Sequence, residues 1–409
     1  MKRNMIKLAA GAAALLMMAT SAEAGYTMKK KVGDIDTKLI FYGFAQLDAI
    51  GGEGMQIKKA GSVDKANTNI GFRAQRIRLG WKYVAGKLRG KVFLDFNQAA
   101  TGNGKDASGD AIPKLVKDAF ISYVFDPAFV VKAGLIKMPN GMGFTMPGWN
   151  LDIAERGMDK QLVLERNTGL MISGRDMFLG NNGKVNGFEM GHERPWKGFG
   201  YDIMIANQAS RSKAVAKGSG GDAATAFGGN SYVVRGMFDY TEKLHIEASY
   251  ALSENADSED ALTTNGVNYS NINLGLDSNL GKLSIKAEYF DASNIKGVEG
   301  YDEQAATVTA AYFVTPTLEV VGKHIQASAI KGTGANTTNL GNTYLGLNIF
   351  ISTPYQDFSR KAKRMRNQHK VVLNYIVASG SGATEGAEKF TGLSGYRADA
   401  WIAQYQFKF

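Results

Sequence analysis

The chain has 409 residues, a formal net charge of +10, 49 glycines, 7 prolines and no cysteine. The absence of cysteine excludes a disulfide framework and thiolate-based metal or redox centres. Many glycines against few prolines favour numerous strands with flexible turns over a helical bundle.

Residues 1–24 read as a secretory leader. Lys2, Arg3 and Lys7 precede an apolar run from Leu8 to about Ala19, and the small-residue segment Ala22-Glu23-Ala24 marks cleavage after Ala24. That run falls short of the roughly 20 apolar residues a spanning helix needs. Loss of the leader lowers the formal charge from +10 to +8 and leaves residues 25–409 as one domain. No later segment resembles a spanning helix, so the mature chain is either soluble or a closed barrel, the other architecture that satisfies every backbone group in lipid.

A two-residue period then runs through the chain. Leu88, Val92, Leu94 and Phe96 oppose Lys87, Arg89, Lys91, Asp95 and Asn97, and Leu283, Ile285, Ala287 and Tyr289 oppose Ser284, Lys286 and Glu288. Such segments, about ten residues long, suit strands that cross a bilayer at a tilt. The pattern predicts sixteen strands, at 38–50, 70–83, 87–97, 115–125, 129–138, 168–179, 198–207, 230–240, 243–253, 268–277, 282–291, 304–314, 318–328, 342–352, 370–378 and 396–409. Short turns such as Asp126-Pro127-Ala128 and Thr315-Pro316-Thr317 alternate with long Gly/Asn/Ser/Asp-rich connections at 51–67, 98–112, 209–228, 253–266 and 379–394. That alternation is the signature of a bacterial outer-membrane barrel with periplasmic turns and extracellular loops. Barrels of 16 to 18 strands enclose an aqueous channel.

Two connections are too long for periplasmic turns. Residues 180–197 have room for an extra hairpin, and 353–369 carry Arg360, Lys361, Lys363, Arg364 and Arg366, read as a solvated turn near anionic headgroups. Nothing aromatic is interleaved there as a stacking platform for nucleic acid. At the far end Trp401, Ala403, Tyr405, Phe407 and Phe409 share one parity, with Gln404, Gln406 and Lys408 on the other. The aromatic parity belongs on lipid, and the terminal Phe409 resembles the signal read by outer-membrane barrel assembly machinery.

The basic residues fall on the opposite face. Ile77, Leu79, Trp81 and Tyr83 alternate with Arg76, Arg78 and Lys82, and the next strand repeats this with Lys87, Arg89 and Lys91. A basic side chain at the bilayer midplane costs roughly 2–4 kcal/mol, so this ladder must face the lumen. Arg235, Lys286 and Lys370 also take lumen parities, where Asp239, Glu247 and Glu288 can pair with cations. The expected partners are small anionic solutes, attracted by fixed charge in a narrow aqueous space. The four histidines, His192, His245, His324 and His369, are too scattered for a catalytic or metal site, so neither an enzyme nor a cofactor is expected.

Three segments resemble a known family. They are Phe72-Arg73-Ala74-Gln75-Arg76-Ile77-Arg78-Leu79-Gly80 with Gly86-Lys87-Leu88; Lys117-Asp118-Ala119-Phe120-Ile121-Ser122-Tyr123 running into Ala133-Gly134-Leu135-Ile136-Lys137-Met138-Pro139; and Glu155-Arg156 with Leu164-Glu165-Arg166-Asn167-Thr168-Gly169. Their order and spacing over about residues 38–210 are similar to the phosphate-selective porins O and P. The resemblance implies a sixteen-stranded, usually homotrimeric porin whose third loop folds into the barrel. Residues 139–166 would then be the constriction, with Arg156 and Arg166 on its cationic side, Asp152, Glu155, Asp159 and Glu165 on its acidic side, and Lys160 between them. This near balance separates membership of the family from selectivity for phosphate. The sequence thus supports a passive outer-membrane diffusion pore with a bias toward anions, against the alternative of a structural or adhesive barrel that does not conduct.

Overall fold

The computed structural model describes residues 25–52, 71–96, 115–177, 194, 197–208, 212, 214–215, 229–241, 243–254, 267–331, 337–351, 356–383 and 395–409. The leader, most of the long connections, His192 and the hairpin expected within 180–197 lie outside these residues.

Among the described residues, sixteen antiparallel strands close into one barrel: β2 (Ile35–Gly52), β3 (Gly71–Ala85), β4 (Leu88–Asp95), β5 (Val116–Asp126), β6 (Phe129–Lys137), β7 (Arg166–Met177), β8 (Gly198–Asn207), β9 (Asn230–Tyr240), β10 (Leu244–Ser253), β11 (Tyr269–Leu280), β12 (Leu283–Ser293), β13 (Tyr301–Thr315), β14 (Leu318–Lys331), β15 (Thr338–Phe350), β16 (His369–Ser379) and β17 (Ala400–Lys408). Each pairs with its sequence neighbour, and β17 closes the ring on β2 from Ala400↔Gly52 to Lys408↔Phe44. Closure removes the unpaired edges that lipid would not tolerate.

Strand β13 shows how the pattern makes the wall. Glu303, Ala305, Thr307, Thr309, Ala311 and Phe313 are buried, while the intervening Val308, Tyr312 and Val314 are exposed. The same inversion holds around the barrel: Ile203, Ile205, Val234, Ile272, Leu274, Leu345 and Tyr375 point outward, and Asp202, Arg235, Asn271, Asn273 and Asn374 point inward. The apolar face is therefore the lipid face and the polar face lines the interior. Tight turns join the strands at the periplasmic end. Gly86 (φ 55°) and Gly281 (φ 70°) adopt the left-handed backbone that a residue without Cβ takes most cheaply.

One strand was not anticipated. Residues before Lys38, to which the sequence assigned no strand, form β1 (Tyr26–Val32), which pairs with β2 from Tyr26↔Phe41 to Val32↔Ile35. It starts where β17 stops. Phe409 exchanges both backbone hydrogen bonds with Gly43 at 2.9 and 3.0 Å, and β1 takes over the edge of β2 from Phe41 onward.

Candidate functional site

The chain between β6 and β7 does not leave the barrel as an ordinary loop. Met138, Phe144, Ile153, Ala154, Met158, Leu162, Val163 and Leu164 all belong to the main buried apolar cluster. A short helix, α1 (Met142–Thr145), and two 3-10 turns at Gly148–Asn150 and Met158–Leu162 shape the segment. Among the described residues, inward-facing side chains of at least eight strands hold it, Gln46 on β2 donating to Gly148 O at 3.1 Å. Asn140 Nδ2 donates to Asn271 Oδ1 on β11 at 2.8 Å and to Ser249 Oγ on β10 at 3.2 Å, while its Oδ1 accepts from Leu164 N at 3.0 Å. Gly143 N donates to Glu288 Oε2 on β12 at 3.0 Å, and Asp152 pairs with Lys286 of the same strand. Asn348 on β15 donates to Asp152 O at 2.8 Å, and Asn374 on β16 accepts from Ala154 N at 2.9 Å. From β17, Gln404 and Gln406 donate to Ala154 O and Trp149 O, each at 3.0 Å, and Arg73 on β3 pairs with Glu155 at 2.9 Å. Gly157 packs so tightly on β14 that a Cβ there would stand 1.7 Å from Ile325 Cδ1.

Between this segment and the wall lies a cavity of about 630 Å³, lined by thirteen lysines and arginines against seven aspartates and glutamates. Arg76, Arg78, Lys82 and Lys91 all line it. Arg78 pairs with Asp95 at 2.9 Å, and Asp118 bridges Lys91 at 2.6 Å and Arg166 at 2.9 Å. Lys82 sits 5.0 Å from the centre of the Tyr42 ring. Lys87 and Arg89, grouped with these by parity, lie apart at the β3–β4 turn, where Lys87 donates to Phe125 O at 3.1 Å and Arg89 to Leu88 O at 3.0 Å. Arg235 is also separate: it is fully buried on β9, 2.5 Å from Asp202 and 3.5 Å from Glu247. Glu247 and Asp239 in turn flank His245 at 2.9 and 3.0 Å, so this histidine is a wall residue inside a charged network.

Three cavity cations have neutral partners. Arg76 Nη1 donates to Gln46 Oε1 at 2.5 Å, and Lys137 donates to Thr145 O at 3.0 Å. Arg156 donates to Gly143 O at 3.0 Å, to Phe144 O at 3.3 Å and to Met146 O. Lys137, Arg156 and Arg166 surround the Phe144 ring at 4.4, 5.7 and 5.6 Å from its centre. The negative face of the ring helps hold cations this close together. Burial, then the neighbouring guanidiniums of Arg76, Arg78 and Arg166, push Arg156 down from its ordinary value.

Three of the four acids of the segment line the same cavity, each paired with a cation. Asp152 pairs with Lys286 and Glu155 with Arg73, and Lys160 lies 2.6 Å from Glu165. Burial acts to raise the Glu165 carboxyl, yet the Lys160 ammonium holds it down to about 2. Asp159 is buried against the wall, its Oδ1 without a hydrogen-bond partner. The even mixture of acid and base in the sequence therefore does not describe the charge left unpaired along the cavity.

Lys408, which parity put on the polar face of the last strand, lines this cavity, as do Lys117, Lys137 and Lys363, which were not singled out by parity. Lys137 closes β6 where alternation fails, since Ile136, Lys137 and Met138 are buried in succession. That break in period was the available signal.

The profile of the phosphate-selective porin O and P family matches residues 54–326, well over half of the chain and beyond the stretch that carried the motif resemblance. A search of curated proteins finds no match. Among solved structures, the barrel is similar to an anion-selective porin from Comamonas acidovorans (12% identity, TM-score 0.57, 91% of this chain and 100% of that one). It is similar too to the outer membrane channel DcaP of Acinetobacter baumannii (13%, 0.57, 95% and 100%). A trimer form of OmpT, an outer membrane protein of Vibrio cholerae, gives 11% identity and TM-score 0.55 over 91% and 99% of the two chains. At these identities the solved structures speak for the fold, and the family match speaks for the chain: with a closed barrel, an inward polar face and a charged central cavity, it belongs to the phosphate-selective porin O and P family of outer-membrane channels.

Proposed function

We propose that this porin passes small hydrophilic solutes by passive diffusion and favours anions, phosphate and other oxyanions among them. The observation that carries the reading is the cavity lining, in which cations outnumber acids and Arg76, Lys137 and Arg156 rest on neutral acceptors. Fixed charge in a narrow aqueous space concentrates counter-ions. A guanidinium offers an oxyanion paired hydrogen bonds, and cations spread along the wall let the solute move on. Residues 139–166 act as the constriction, with Asp152 and Glu155 fastening it to the wall, Glu165 pairing with Lys160 inside it, and Arg156 and Arg166 facing the solute. The Comamonas porin of the same fold is anion-selective, which supports the sign of the preference. The trimeric OmpT form supports a homotrimer. Phe409, paired to Gly43 at the barrel seam, is the assembly signal, and residues 1–24 are a leader removed on export.

Planar-bilayer recording across a KCl gradient tests this directly. The expected reversal potential has the sign of chloride preference. Cation selectivity would overturn the charge argument, and closed bilayers would favour a structural or adhesive barrel.

A further inference from the structure

The basic stretch 360–366 is not the solvated turn its charge suggested, since Arg366 and Lys363 lie 4.9 and 5.2 Å from the Phe313 ring centre inside the barrel. The group that neither the wall nor the constriction accounts for is acidic. Asp159, on the second 3-10 turn of the inner segment, and Glu288, on β12, are each more than nine-tenths buried and form no ion pair among the described residues. Their carboxylates converge beside Gly143, where a Cβ would stand 2.7 Å from Glu288 Oε2 and 3.8 Å from Asp159 Oδ2. Asp159 and Glu247 each repel the Glu288 carboxylate. Like charges buried this close together call for a shared proton or a cation between them.

A small second cavity favours the cation. It lies between the inner segment and the wall, has a volume of about 50 Å³, and is lined by Asp159, Glu288 and by Thr307 and Thr309 of β13. That is room for a cation with roughly three waters, at about 10–15 Å³ each. Two oxygens of its lining have no hydrogen-bond partner, Asp159 Oδ1 and Thr307 Oγ1, and both side chains are more than nine-tenths buried. A proton shared by the carboxylates leaves the Thr307 oxygen without a partner, whereas a cation takes both oxygens.

The basic residues on the same lining are committed elsewhere. Lys286 pairs with Asp152, and Arg156 donates to the carbonyls of Gly143, Phe144 and Met146. Lys323 of β14, half-buried, forms no ion pair with either carboxylate. Their charge nearby keeps the site weaker than a dedicated chelate, and among the described residues no three His, Cys, Asp or Glu converge to make one. The donors are carboxylate and hydroxyl oxygens, a hard set in irregular array. Calcium accepts such an array, while magnesium demands a near-ideal octahedron and dehydrates reluctantly.

We infer that this cavity is a calcium site, held by Asp159, Glu288 and the Thr307 hydroxyl, through which the ion fastens the constriction to the barrel wall.

The test is equilibrium dialysis of the whole porin in detergent, stripped with EDTA, against radioactive calcium chloride at pH 7. The parent is compared with Asp159→Asn, Glu288→Gln and the near-isosteric Thr307→Val. The parent should bind a single calcium ion per chain with a Kd of roughly 0.1–1 mM, the range of weak oxygen-ligand sites, and a tenfold excess of magnesium should not displace it. Either carboxylate variant should weaken binding about tenfold or more, because affinity follows the charge of the ligand set. Thr307→Val should weaken it by a smaller factor, and it keeps the comparison valid if the carboxylate variants fail to fold. Trypsin should cut the parent within residues 139–166 faster in EDTA than in calcium. A parent that binds no calcium at pH 7 would overturn the inference and leave the shared proton. Calcium bound equally by the parent and by every folded variant would place the ion elsewhere and overturn it too.

Discussion

Arg73 Nη2 on β3 lies 2.9 Å from Glu155 Oε2 of the inner segment, and the same carboxylate accepts from Tyr396 Oη at 2.5 Å. An acid counted in the sequence against anion preference is thereby turned into a fastener between segment and wall. Asp152 on Lys286 repeats the arrangement on the opposite side of the barrel.

Selectivity should follow the cations whose partners are neutral. Replacing Arg76, Lys137 and Arg156 together with glutamine is expected to lower the chloride-to-potassium permeability ratio roughly threefold or more, because fixed charge sets the local counter-ion concentration. Lys87→Gln with Arg89→Gln should leave the ratio unchanged, since both side chains serve turn carbonyls. Reversal potentials in a salt gradient decide between these outcomes.

Asn140 ties the start of the inner segment to its end and to two strands at once. Its loss leaves Leu164 N and Asn271 short of partners, at a cost of about 1–3 kcal/mol for buried groups. Asn140→Ala should therefore give a larger and noisier single-channel current and faster proteolysis within residues 138–165. An unaltered current would show that the other anchors suffice.

The barrel seam depends on Gly43. A Cβ there would stand 2.5 Å from Phe409 Cζ and 2.6 Å from Arg78 O, so a side chain must displace either the terminal ring or the backbone of β3. Gly43→Val is expected to cost about 1–3 kcal/mol through overpacking. The yield of heat-modifiable barrel after refolding into detergent measures it, and Phe409→Ala combined with Gly43→Ala should recover part of the loss.

The Lys160–Glu165 pair makes a pH prediction. The Glu165 pKa is depressed from the ordinary 4.5 to about 2, so ionisation favours the folded arrangement. Its contribution is complete above about pH 4.5 and is lost as pH falls through about 2. The parent channel should thus show an acid-dependent change in conductance within that window, and Glu165→Gln should show a smaller one. Identical pH profiles for the two proteins would remove this pair from the account.

How much of this was legible before folding depended on the kind of signal. The barrel was written in a local code: alternation in segments such as Leu244–Ser253 and Tyr301–Thr315 fixes which face meets lipid, because a charged residue on the wrong face is too costly. The β1 strand escaped because Tyr26–Val32 carries Lys29, Lys30 and Lys31 in succession and has no alternating face to read. The inner segment could be placed only through family resemblance, since its own residues have no period.

The sequence by itself determined that the chain is a barrel of about sixteen strands, with Arg76, Arg78 and Lys91 on the inside. Tertiary structure alone decided which charges remain available to a solute. Pairing is a matter of distance, and the partners here are far apart along the chain: Glu155 meets Arg73, Asp152 meets Lys286, and Lys363 and Arg366 meet Phe313. Residue counts weigh those groups equally, whereas a charge neutralised at contact distance contributes little field to the channel.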